Sequence, residues 1–121
     1  MIVPGYTFLS IRPPYTTPHL HIVISPIING KVLLVNITTL KHNSDHTCVL
    51  KVGDHPFLTH DSIINYGDAI DAEVDLLKLS IRTKLFTPKA PVSEELLRRI
   101  QAGALKSTAL PKKFIKYIPT N

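Results

Sequence analysis

Tryptophan is absent from this 121-residue chain, and cysteine and methionine occur once each. A lone thiol, Cys48, cannot form an internal disulfide, and no paired cysteines are present to build a metal or redox motif. Aromatic residues make up only 7% of the chain, too few to lay an extended stacking platform under a single strand. Five glycines against ten prolines leave no phosphate-cradling glycine loop and argue against a bundle of long helices. No apolar run approaches the roughly 18 residues of a membrane span, and Met1-Ile2-Val3-Pro4 lacks the basic start and apolar stretch of a signal peptide. A soluble chain in a reducing cytoplasm, without membrane association, is therefore expected.

Acid is the most unevenly distributed resource. Residues 1–44 contain none, and seven acids (Asp45, Asp54, Asp61, Asp68, Asp71, Glu73, Asp75) then crowd the middle of the chain against Lys51. From Lys78 onward ten bases face only Glu94 and Glu95, and the net charge is +5. Such a distribution suits an electropositive surface for phosphate beside an acidic band that orients a partner, and it equally describes a solvated basic tail. At 44% hydrophobic and 13.5 kDa, the chain is apolar enough to fold around one core. One domain is expected, with a β core over about residues 5–86 and a helical part over about 93–118.

The local patterns favour short strands. Tyr6 to Ile11 alternates and is stopped by Arg12-Pro13-Pro14; His19 to Ser25 sets Leu20, Ile22 and Ile24 on one face and His19, His21, Val23 and Ser25 on the other. Asn29-Gly30 is a two-residue hairpin turn leading into the β-branched run Lys31 to Thr39. A regular hairpin closed by that turn pairs Ile28 with Lys31, Ile24 with Val35, Ile22 with Ile37, Val23 with Asn36 and His21 with Thr38. A polar cluster of His19, His21, Asn36 and Thr38 follows, unless Pro26 introduces a bulge. Further strands are expected at His46 to Val52, at Ser62 to Tyr66 before a turn at Gly67-Asp68, at Ala69 to Ala72 and at Ile81 to Leu85. Ser93 is an N-cap, with Glu94 and Glu95 in the first turn and Leu96, Leu97, Ile100 and Ala104 as the buried stripe of a helix. Pro111 opens a second, short helix.

All six histidines (His19, His21, His42, His46, His55, His60) fall in the first half of the chain. Histidine suits general acid and base catalysis near neutral pH. His-x-His on a strand also suits metal ligation, although no His-Glu-x-x-His or similar spacing accompanies it. His42 and His46 read as ordinary exposed residues, and Cys48 as a buried, inert thiol. No nucleophile elbow is present.

The order of segments resembles the MazF/PemK/Kid family of toxin endoribonucleases. Gly5 with Tyr6 to Ile11 looks like that family's first strand, and His19-Leu20-His21-Ile22-Val23-Ile24-Ser25 like its second. Val35-Asn36-Ile37-Thr38-Thr39 looks like its Ile-Thr strand, and Phe57-Leu58-Thr59-His60-Asp61-Ser62-Ile63-Ile64 like its Asp-Ser segment. The likeness covers about residues 5–72. It implies a small SH3-like β-barrel with one or two C-terminal helices, usually a homodimer, that cuts single-stranded RNA without metal or cofactor and is held by an acidic antitoxin protein. The family's catalytic threonine falls on Thr38, and its arginine falls on His19, with Leu20 in place of proline.

Two functions are consistent with that substitution. Either His19 and His21 supply acid and base chemistry beside Thr38, with Arg12, Asn36, Lys41 and His60 contacting RNA, or the barrel is a noncatalytic binding or regulatory protein. A metal-dependent hydrolase built on the histidines is a third.

Overall fold

The computed structural model describes residues 1–10 and 16–120. The chain is mainly β, and six antiparallel strands form one sheet curled into a half-barrel. They are β1 (Thr7–Ser10), β2 (His19–Val23), β3 (Lys31–Thr39), β4 (Val49–Leu50), β5 (Ser62–Glu73) and β6 (Thr87–Lys89), in the spatial order β4-β5-β3-β2-β1-β6. Helix α1 (Val74–Arg82) follows β5 directly, α2 (Glu94–Lys106) follows β6, and a 3-10 helix (Lys112–Tyr117) comes last. The expected barrel is therefore open, with β4 and β6 at opposite edges. Neither edge can propagate a ladder far: β4 has two residues, and the middle of β6 is Pro88, which has no N–H.

The hairpin starts as its turn dictates and then departs from the count. Asn29 and Gly30 take φ of 51° and 79°, as a type I′ turn demands, and Ile28 and Lys31 exchange backbone hydrogen bonds of 2.8 and 3.0 Å. Further along, however, Ile22 pairs with Val35 and His21 with Asn36, not with Ile37 and Thr38. The slip arises at Ser25-Pro26-Ile27. There Ser25 Oγ accepts the Leu33 N–H at 2.8 Å in place of a ladder carbonyl, and Pro26 has no N–H to give. Because the slip is of two residues, every side chain keeps its face. Leu20, Ile22, Ile24, Leu33, Val35 and Ile37 thus enter the main core as expected, against Leu96, Ile100 and Ala104 of α2 and against Phe114 and Tyr117.

The second face of the sheet is not solvated. Phe8, Val23, Val32 and Leu34 form a smaller core there with Ile2, Val74 and Leu77, the last two from α1. This helix occupies part of the segment expected to extend at Ile81 to Leu85. It can reach that face because β5 turns over midway. Between the Leu34–Ile70 and Asn36–Asn65 pairs, β3 advances two residues while β5 advances five. The odd offset inverts the strand, so that Ile64 and Tyr66 face the main core while Ile70 and Ala72 pack on the smaller one. The expected turn at Gly67-Asp68 is thus a bulge within one 12-residue strand.

The strand expected at His46 to Val52 shrinks to β4. Thr47 N–H bonds Asp45 Oδ1 at 3.0 Å on one side, and a turn at residues 51–54 closes the other. The α2 start is as expected, with Ser93 Oγ accepting the Leu96 N–H at 3.0 Å. Among the described residues, no helix is long and apolar enough to cross a membrane.

Candidate functional site

The last residues of β3 and the loop entering β5 meet the start of β2 at one end of the sheet. They enclose a cleft of about 370 Å³, lined by His19, Thr38, Thr39, Thr59, His60 and Ser62 together with Thr17, Pro18, Ile37, Phe57 and Leu58. Among the described residues, two imidazoles and five hydroxyls converge there, and no carboxylate lines it.

Each imidazole is oriented by hydrogen bonds. His19 Nδ1 lies 3.2 Å from the Ile37 carbonyl oxygen. A carbonyl only accepts, so Nδ1 carries the hydrogen and Nε2 is the basic nitrogen of the neutral ring. His60 is exposed, with Nε2 2.9 Å from Thr39 Oγ1 and Nδ1 3.1 Å from Thr59 Oγ1. A threonine hydroxyl either donates or accepts, so both tautomers of His60 are satisfied by the same pair of neighbours. A ring held in place while free to exchange the tautomer suits proton transfer.

The expected cluster divides between the cleft end and the interior of its own strands. His19, Thr38 and His60 meet in the cleft. His21 does not: it is 4% exposed, its ring stacked on Phe8 with centroids 5.3 Å apart, and it lines a separate groove of about 540 Å³ beneath α1. Asn36 is 2% exposed and donates from Nδ2 to Asp68 Oδ2 at 2.7 Å, which bridges the β5 bulge. His21 lies inward because α1 covers the face that the alternation of β2 left polar. Lys41 is exposed in the turn after β3, its N–H donating to Ser44 Oγ at 2.9 Å. Arg12 falls outside the described residues.

His46 and His55 have structural partners, and His42 is exposed. His46 Nε2 donates to the Lys41 carbonyl at 3.1 Å. His55 is buried: its Nε2 donates to the Ala90 carbonyl at 2.6 Å, and its Nδ1 accepts the Phe57 N–H at 3.0 Å. Cys48 is buried, and burial pushes its thiol up, with Arg99 pulling only partly against it, as an inert cysteine requires. Among the described residues, no group of three or more His, Cys, Asp or Glu is placed to hold a metal ion.

Thr39, Thr59 and Phe57 are cleft residues that sequence reasoning did not assign to the site. Thr39 and Thr59 were detectable as neighbours of Thr38 and His60, but their shared contact with one imidazole depends on β3 and the β5 entry loop lying side by side. Compared with known proteins, the chain matches no family model and no curated protein.

Proposed function

We propose that the protein is a metal-independent endoribonuclease acting on single-stranded RNA, built on a MazF/PemK-type half-barrel and serving as the toxin of a toxin–antitoxin pair. The observation that carries the reaction is the cleft in which His19 and His60 meet threonine hydroxyls, with no carboxylate among the described residues that line it. Phosphodiester backbone is anionic, so a site of hydroxyl donors and imidazoles accepts it where an acidic site repels it.

The chemistry is a transesterification. The ribose 2′-oxygen attacks the adjacent phosphorus while one histidine takes the 2′-hydroxyl proton; the P–O5′ bond breaks as the other histidine, protonated, gives its proton to the leaving 5′-oxygen. The products are a 2′,3′-cyclic phosphate and a 5′-hydroxyl. Thr38 and Thr39 donate to the phosphoryl oxygens, where charge accumulates in the transition state. Roles for His21 and Asn36 in this step are not part of the proposal, since both are buried away from the cleft.

A second reading, a noncatalytic partner-binding protein of the same fold, draws on the groove beneath α1, which is lined by Leu76, itself 58% exposed. End-group analysis of RNA incubated with the protein in EDTA separates the two. The enzyme reading expects 2′,3′-cyclic phosphate and 5′-hydroxyl ends; intact RNA supports the binding protein, and cleavage abolished by the chelator supports a metal hydrolase.

A further inference from the structure

Phe57 stands at the junction of two clefts. It lines the 370 Å³ cleft of His19 and His60, and it also lines a neighbouring cleft of about 340 Å³ formed with His55, Pro56, Lys89 and Ala90. The residue is 39% exposed, although neighbouring Leu58 is buried in the main core. Its backbone is fixed in that position. The Phe57 N–H donates to Nδ1 of buried His55, whose Nε2 donates in turn to the Ala90 carbonyl, next to Lys89 on β6. A single exposed aromatic is unremarkable by itself. One whose loop is pinned across the fold, between a hydroxyl-rich cleft and a cleft that presents a lysine, is preorganised to meet a planar ligand.

We infer that Phe57 is the stacking wall for one unpaired nucleobase next to the scissile phosphate, and that Lys89 contacts a further phosphate beyond it. The inference rests on the proposed ribonuclease reading and extends it: the substrate occupies both clefts, and its strand passes over Phe57. Any base has a π-face, so this contact selects unpaired over paired nucleotides more than it selects one base over another. Duplex RNA is excluded because its bases are not available to the ring.

The test is fluorescence anisotropy with a labelled 2′-O-methyl RNA oligonucleotide, which lacks the attacking hydroxyl and so reports binding without cleavage. Single abasic sites are placed at successive positions. Wild type should lose about tenfold to a hundredfold in affinity at one position. Phe57→Leu, which keeps an apolar wall but no π-face, should bind the intact oligonucleotide with that same loss and be indifferent to the abasic site there, while Phe57→Tyr should behave as wild type. Lys89→Gln should lower affinity at every position and flatten the salt dependence by about one phosphate contact. Wild-type binding that is unaffected by Phe57→Leu overturns the stacking wall and leaves the ribonuclease reading standing. Failure of wild type to bind at low salt overturns both.

Discussion

Gly103 is the glycine at which the fold can least accommodate a side chain. A Cβ there would lie 2.3 Å from Tyr66 Oη and 3.4 Å from Cys48 Cβ. Tyr66 cannot easily retreat, because it is fully buried and its hydroxyl donates to the Ile100 carbonyl at 2.7 Å. Burial also pushes its phenol far up, so it remains a neutral donor throughout the working pH range. In an exposed helix Gly→Ala gains about 1 kcal/mol, whereas overpacking a core costs about 1–3 kcal/mol. Gly103→Ala is expected to destabilise by about 1–2 kcal/mol, seen as a lower urea midpoint at an unchanged slope. Adding Tyr66→Phe to that variant should recover part of the loss, and strict additivity of the two changes would show that the clash is not where it is placed here.

Among the elements, the join between the β3–β4 loop and the end of α2 carries a pH dependence. Ser107 Oγ, at the C-cap of α2, donates to Asp45 Oδ2 at 2.6 Å, while the Thr47 N–H and hydroxyl donate to Asp45 Oδ1. Burial pushes the Asp45 carboxyl up, but these hydrogen bonds, with His46 nearby, outweigh it and hold the group below the usual carboxylate range. A carboxyl lowered in the folded state contributes stability above its unfolded pKa of about 3.9, and that contribution is lost as pH falls through the folded value. Asp45→Asn should therefore cost about 1 kcal/mol at pH 7 and flatten the acid limb of a thermal stability profile. An acid limb identical to wild type would remove Asp45 as its cause.

The elements also differ in how far the sequence announces them. The Asn29-Gly30 turn, β3 and the Ser93-capped helix are encoded by neighbours a few residues apart, and these were legible. α1 was not, since apolar residues at 74, 76, 77, 79 and 81 fit a strand as readily as a helix. The register slip at Ser25-Pro26-Ile27 and the inversion of β5 depend on contacts between strands, as does the covering of the second face. For that reason His19, Thr38 and His60 could be singled out as candidates, whereas the burial of His21 and Asn36 and the entry of Thr39 and Thr59 into the cleft could not.

Across the whole molecule, the acid-free first 44 residues form β1 to β3, the strands that contribute His19, Thr38 and Thr39 to the cleft. Asp68, Asp71, Glu73 and Asp75 are instead confined to the second half of β5 and the start of α1. Asp71 and Glu73 line the α1 groove, whereas Asp61, between the cleft residues His60 and Ser62, is paired with Lys51 at 2.9 Å. Single-stranded RNA affinity should fall with rising salt, at about 0.7 logarithmic units per phosphate contact for each tenfold increase. A salt-independent affinity would show that phosphate is not what the protein recognises.

The central claim is that His19 and His60 exchange the protons of RNA cleavage, and initial cleavage rates across pH in EDTA test it most directly. Wild type should give a bell-shaped profile near neutrality, and His19→Ala or His60→Ala should each lower the rate by about 10²- to 10⁴-fold without lowering the melting temperature by more than a few degrees. A double His19, His60 variant that melts normally and cleaves at the wild-type rate would contradict the account.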